Sequence, residues 1–315
     1  MKITAEIIDA ILRSNNVLVC GHIRPDGDCI GSALAMRRIC EKLGKNADAV
    51  CDAEKPHSFS FLPDYDYFCA PRFEKYDLFI AVDCAVDKRL GEYFKQMTDA
   101  KTVIDIDHHP TNDGYGDINY INERASSTCE IIYSLFCDTD LLDAESATML
   151  YTGLSTDTGH FMHSNTTDAV FKTAFGLCRL GVNVGNINHA LYCNNSFERM
   201  KLTARSISGI ELYSNGKIAL MTIMRSDLEE CGCKSEDTEG LIDNAKSISG
   251  VEIAICICEQ PGGMFRTSLR SVSADVSAVA GVFGGGGHKL ASGCIINGTR
   301  DEVTKKITQA AAKAL

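Results

Sequence analysis

The sequence predicts an α/β protein with a parallel-sheet N-terminal domain and a smaller α/β C-terminal domain. Three observations predict it. Through the first half, short apolar runs alternate with helical patterns, as strands buried on both faces of a parallel sheet require. Several of these runs end in acidic residues, where an open α/β sheet collects its ligands. After about residue 207, beyond a mostly helical stretch, a second set of strand-like runs begins.

In chain order, the periodicity predicts a helix over 4–12, a strand over 16–21 and a helix over 29–43 that Gly44 can end as the residue after its cap. Strands over 78–83 and 102–107 each finish on an aspartate. Helical patterns follow at 129–136, 144–154, 168–180 and 197–206. Strands are then expected at 217–224, 251–259, 265–270 and 291–296, with helices at 273–282 and 301–314. The division is placed at 1–190 for the first domain, 191–210 for a helical connector and 211–315 for the second domain. No internal repeat, low-complexity tract or long charged tail interrupts the pattern.

The 315 residues, 45% of them hydrophobic, suffice for more than one core. The first residues enter an amphipathic helical pattern rather than the apolar stretch of a signal peptide, so a cytoplasmic location is expected. A net charge of −11 argues against a broad basic surface for long nucleic acid, while leaving small phosphorylated substrates open. The 15 cysteines are scattered at core-like positions and read as reduced small hydrophobes, the habit of a reducing, even anaerobic, host. Cys231-Gly232-Cys233 and Cys256-Ile257-Cys258 lack a second pair at zinc-type spacing and take the same core reading.

Chemistry concentrates in five motifs. His22, Asp26 and Asp28 flank a Pro-Gly turn between the first strand and its helix. Alone, that segment reads equally as an Asp-Gly turn with a helix start, with Gly31-Ser32 there for close packing. Asp83 ends an apolar run and could simply cap a helix near Lys88. Asp107-His108-His109 is more specific, because adjacent imidazoles point to opposite faces and both need polar partners. Asp157, in Ser-Thr-Asp-Thr-Gly-His160, either completes a coordination shell or belongs to a helix C-terminal turn. Finally Gly284 to Gly287, with His288 and the strand arginines Arg266 and Arg270, reads as a glycine loop whose amides, with charged donors, can meet a phosphate. Carboxylates mixed with imidazoles suit hard or borderline divalent cations.

In this order and spacing the five motifs resemble the DHH/DHHA1 phosphoesterases over nearly the whole chain, and within them the stand-alone nanoRNases that also dephosphorylate 3′-phosphoadenosine 5′-phosphate. The resemblance implies a DHH domain and a DHHA1 domain facing each other across a cleft that holds the active site. It implies that His22, Asp26 and Asp83 hold one Mn²⁺ and Asp28, Asp83, His108 and Asp157 a second, with Asp83 bridging and Mg²⁺ or Co²⁺ as alternative occupants. Asp107 would orient a histidine, His109 would face the substrate phosphate, and Arg270, His288, Gly286, Gly287 and His160 would bind substrate. His160 departs from the longer basic residue usual in relatives.

The expected function is therefore a Mn²⁺-dependent hydrolase of short oligonucleotides, linear or cyclic dinucleotides and 3′-phosphoadenosine 5′-phosphate. No membrane or long nucleic-acid partner is expected, and a homodimer stays open. A family II inorganic pyrophosphatase shares the N-terminal motifs but ends in a basic Ser-Arg-Lys-Lys pattern absent here. A non-catalytic dinucleotide-binding protein would have no need of so complete a ligand set, and a larger single-strand exonuclease would need further domains.

Overall fold

The computed structural model describes residues 2–53 and 55–315, which fall into two compact units, one ending at Asn194 and the other spanning Asn195–Leu315. In the first unit α1 (Lys2–Arg13), β1 (Asn16–Cys20), α2 (Gly27–Lys42), β2 (Asn46–Val50), β3 (Leu78–Val82), α3 (Phe94–Asp99), β4 (Thr102–Asp107) and β5 (Ile118–Ile121) precede four helices. These are α4 (Thr128–Phe136), α5 (Ala144–Asp157), α6 (Asp168–Arg179) and α7 (Val184–Tyr192). The expected parallel sheet is present, with five strands in the order β2-β1-β3-β4-β5.

That order decides where a ligand can sit. From β1 the chain steps outward to β2 and then returns to the other side of β1 as β3, so the strand order reverses between β1 and β3. Crossover connections leave in opposite directions there and open a crevice beyond the strand ends. Both faces of the sheet are covered. Val17, Val19, Ile80 and Ile104 pack with Ile30, Leu34, Ile132 and Leu150 on one side, while Leu18, Phe79 and Ala81 pack with Leu90, Tyr93 and Met97 on the other. Two-sided burial is why β3 reads Leu-Phe-Ile-Ala-Val without alternation.

The crevice lies against a close crossing of α2 and α5. A Cβ on Gly31 would stand 2.5 Å from the Met149 carbonyl, and one on Gly153 would stand 2.7 Å from an Asp28 carboxylate oxygen. Gly31 thus serves the packing role that its sequence context suggested.

The second unit runs α8 (Phe197–Ser208), β6 (Glu211–Tyr213), β7 (Ile218–Ile223), α9 (Arg225–Cys231), α10 (Ile242–Lys246), β8 (Ile253–Gln260), β9 (Met264–Ser271), α11 (Val276–Gly281), β10 (Gly286–His288), β11 (Ala291–Asn297) and α12 (Arg300–Ala312). Its six strands take the order β10-β11-β9-β8-β7-β6, with only β7 and β8 parallel. Leu202 of α8, within the stretch read as a connector, packs with Ala219, Met221 and Ile242 of this unit.

One expectation changes here. The segment read as a glycine loop contains a strand, since Gly286 to His288 pair antiparallel with Gly293 to Ala291. A Cβ on Gly285 would lie 2.2 Å from the Gly293 carbonyl, and one on Gly287 would lie 2.6 Å from the Ala291 carbonyl. Close strand approach therefore accounts for two of the glycines, apart from any anion binding.

Candidate active site

The sequence-predicted acids and imidazoles of the first unit gather at the carboxyl ends of β1, β3 and β4. His22 follows β1, Asp83 follows β3, and Asp107 ends β4 with His108 and His109 beyond it. Asp28 lies in the first turn of α2, and Asp157 is the last residue of α5. Asp157 thus occupies the helix-end turn and the carboxylate cluster at once. As a carboxylate at the negative end of a helix dipole it is costly unless a cation stands nearby.

Asp83 is the centre. It is buried and holds a left-handed backbone at φ 55°, which a non-glycine residue adopts only where its surroundings impose it. It does not cap the following short helix, whose N-cap is Val86 without a side-chain bond. Its two oxygens face in different directions instead. Oδ2 lies 3.3 Å from His22 Nε2, and Oδ1 lies 3.4 Å from His108 Nε2. His22 Nε2 is also 3.9 Å from Asp26 Oδ1, while His108 Nε2 is 3.4 Å from Asp157 Oδ2 and 4.0 Å from Asp28 Oδ2. Donor atoms on one cation at about 2.1 Å stand roughly 3.0–4.3 Å apart, so these spacings fit cation coordination on either side of Asp83.

Asp26 is half-exposed, and its Oδ1 accepts the Asp28 and Cys29 amides as the N-cap of α2. The Cys29 thiol also comes within 4.8 Å of His22 and Asp83 donor atoms, a neighbour that the motif spacing did not point to.

Burial and Asp83 push the Asp28 carboxyl up to about 7, and burial with Asp28 pushes Asp157 well above its ordinary range. Burial also opposes the charge of Asp83, but hydrogen bonds from His108 and His22 outweigh it and hold Asp83 below the carboxylate range. For His108 burial acts against the imidazolium, yet Asp83 and Asp28 raise it to about 9. A set so rich in carboxylates lacks positive charge, and divalent cations are the counter-ions that match its donors.

A further layer holds the set in place. Asp28 accepts the Thr128 and Cys129 amides at 2.6 and 2.9 Å, so the N-terminus of α4 clamps the carboxylate. Ser127 caps that helix by accepting the Glu130 amide. Asp107 Oδ1 accepts from His109 Nδ1 at 2.7 Å, and Oδ2 accepts from Asn112 Nδ2 at 2.8 Å. Asn112 also donates to Asp105, whose carboxyl burial pushes up to about 7. Arg89 Nη2 approaches His22 Nδ1 at 3.1 Å.

The remaining candidates make other contacts. His160 stands with Ser155, at 3.4 Å, and the ring of Tyr192, on a backbone where Gly159, His160 and Phe161 all have positive φ. In the second unit Arg270 is on β9, where Nη1 donates to the Leu269 carbonyl, and Gly286, Gly287 and His288 form β10. The register Arg270↔Ala291↔His288 places Arg270 and His288 on one face of that sheet.

Fold and site define a class, a two-unit α/β protein whose carboxylate and imidazole cluster can take divalent metal. Residues 16–154 match the model described as DHH family, N-terminal domain. It is 29% identical over 297 residues to the bifunctional oligoribonuclease and PAP phosphatase NrnA of Bacillus subtilis, covering 92% of each chain. It is 26% identical over 313 residues to the cyclic-di-AMP phosphodiesterase PdeA of Listeria monocytogenes, covering 91% of this chain and 45% of that one. Among solved structures, an exopolyphosphatase-related protein from Bacteroides fragilis superposes with a TM-score of 0.93 at 25% identity, covering 99% of this chain and 96% of that one.

Proposed function

We propose that this chain is a phosphoesterase using two divalent cations, Mn²⁺ foremost, to hydrolyse short oligonucleotides, dinucleotides and 3′-phosphoadenosine 5′-phosphate. The observation that carries the reading is the division of Asp83 between His22 and His108, the arrangement a bridging carboxylate needs. His22, Asp26 and Asp83 would hold one cation, and Asp28, Asp83, His108 and Asp157 the other. Similarity to proteins named for oligoribonuclease, phosphatase and phosphodiesterase activities supports the substrate class.

Bound at this site, such cations supply an acidified water and neutralise charge on the phosphoryl group. The protein's own groups do the rest. Asp83 fixes the spacing of the two donor sets. Asp107, through His109 Nδ1, sets the ring orientation and tautomer, and Nε2 would then meet a phosphate oxygen. The amides of α4 hold Asp28 without lending it a proton. Arg270 and His288 would bind a terminal phosphate or nucleotide.

The assay is direct. Purified full-length chain with Mn²⁺ should release mononucleotides from a labelled dinucleotide and inorganic phosphate from 3′-phosphoadenosine 5′-phosphate. Turnover of pyrophosphate with neither of these would replace the reading by a pyrophosphatase, and binding of dinucleotide without turnover by a sensor.

A further inference from the structure

Outside this site, one pair of side chains is arranged for chemistry of its own. Cys256 and Cys258 lie two residues apart on β8, so their side chains share a face of the sheet, and the sulfurs are 3.7 Å apart. In the β8–β9 register Cys258 is directly opposite Arg266, and Cys256 is opposite Ser268. Arg266 is exposed and reaches across to donate to Thr238 Oγ1 at 2.7 Å.

The electrostatics of the pair are asymmetric. Burial pushes Cys40, Cys51 and Cys84 up to about 12, the condition of inert core thiols. Cys258 goes the other way, because a hydrogen bond from Cys256 and, against the cost of burial, the Arg266 guanidinium favour its thiolate. Cys256, its partner in that contact, is held well above the ordinary thiol range. A favoured thiolate under a cationic side chain, with a protonated thiol in van der Waals contact, is the relation of an attacking to a resolving cysteine.

We propose that Cys256 and Cys258 form a reversible redox dithiol that is oxidised by small hydroperoxides to an intrastrand disulfide. In the first step the Cys258 thiolate attacks the peroxide; an S–O bond forms, the O–O bond breaks, and the departing hydroxide or alkoxide takes a proton from water. In the second, the Cys256 sulfur attacks the Cys258 sulfenic acid; the S–S bond forms, the S–O bond breaks, and the leaving hydroxide takes the Cys256 proton. Two thiols lose two electrons, and one hydrogen peroxide becomes two waters. The pair is buried, so the oxidant must be small, and a protein disulfide is excluded. Residues i and i+2 of a strand lie about 6.7 Å apart at Cα, at the long end of disulfide geometry, so the bond would be strained and readily reduced. This inference concerns the second unit alone and does not depend on the phosphoesterase reading.

The test uses full-length chain treated with hydrogen peroxide, alkylated, digested with trypsin and weighed. Cleavage after Lys246 and Arg266 releases residues 247–266, which contain Cys256 and Cys258 and no other cysteine. The expected result is a peptide lighter by two hydrogens, without alkyl label, that regains two labels after dithiothreitol. Cys256→Ser should accumulate a sulfenic acid on Cys258 that dimedone traps, whereas Cys258→Ser should leave Cys256 reduced. The proposal is overturned if the peptide takes two labels at doses that oxidise the exposed Cys69, Cys137, Cys178 or Cys193, or if Cys256 is oxidised as readily in Cys258→Ser. If either variant fails to fold, the wild-type peptide alone decides.

Discussion

At the residue scale, the candidate site combines charged groups that the sequence singles out with neutral groups that it does not. Asp83 and the Asp107-His108-His109 run stand out because they close apolar runs, where charge is costly and demands a reason, and His22, Asp28 and Asp157 gain weight from that company. Asn112 carries no such signal. It gains its role only when folding sets its amide against Asp107 and Asp105 and its oxygen against the Gly114 amide. Without it Asp107 loses the donor that opposes His109. Asn112→Ala should therefore lower kcat about 10–100-fold, the usual cost of losing a support beside a metal or catalytic group, with an unchanged circular dichroism spectrum. An unchanged kcat would show that His109 does not depend on this chain of hydrogen bonds. Thr128 was equally hidden in the sequence, since its amide meets Asp28 across 100 residues.

At the element scale, helices α2 and α5 carry Asp28 and Asp157, and their crossing is fixed at one end by Asp143. This residue caps α5 by accepting the Ser146 amide at 2.9 Å and accepts from Arg38 Nε and Nη2 of α2. Partial burial pushes its carboxyl up, but Arg38, Lys42 and Ser146 prevail and hold it well below the usual carboxylate range. A group with a depressed folded pKa stabilises above its unfolded value, near 3.9, and loses that contribution as pH falls through the folded value. Asp143→Ala should thus cost about 1–2 kcal/mol in denaturant unfolding at pH 7, mostly from the lost cap, since the partly exposed ion pairs add little. The deficit should shrink in acid; one that grows instead would contradict this account of the cap. Helices and buried strands were legible here through periodicity. The β2 strand, Asn-Ala-Asp-Ala-Val, was not, because its strand state comes from pairing with β1 and from Asp48 accepting Tyr76 Oη and the Arg72 amide. The β10 strand was missed for a related reason, since its glycines advertise a loop while meeting a need for close strand approach.

At the scale of the whole molecule, two units with separate cores carry different kinds of chemistry. The first holds the carboxylates and imidazoles, and the second holds Arg270, His288 and the dithiol strand. If the second unit binds the far end of the substrate, His288→Ala should raise KM several-fold in steady-state assays of dinucleotide hydrolysis and leave kcat within about twofold. A fall in kcat at constant KM would move His288 into the chemical step. Among the described residues no helix is long and apolar enough to cross a membrane, and the net charge of −11 includes the acids that bound cations would offset. The account stands or falls on Asp83 joining two cation sites. Its most direct test is calorimetric titration of metal-stripped chain with Mn²⁺. The account predicts two ions per wild-type chain and, in Asp83→Ala, weakened binding of both; one ion per wild-type chain, or two at unchanged affinity in the variant, would contradict it.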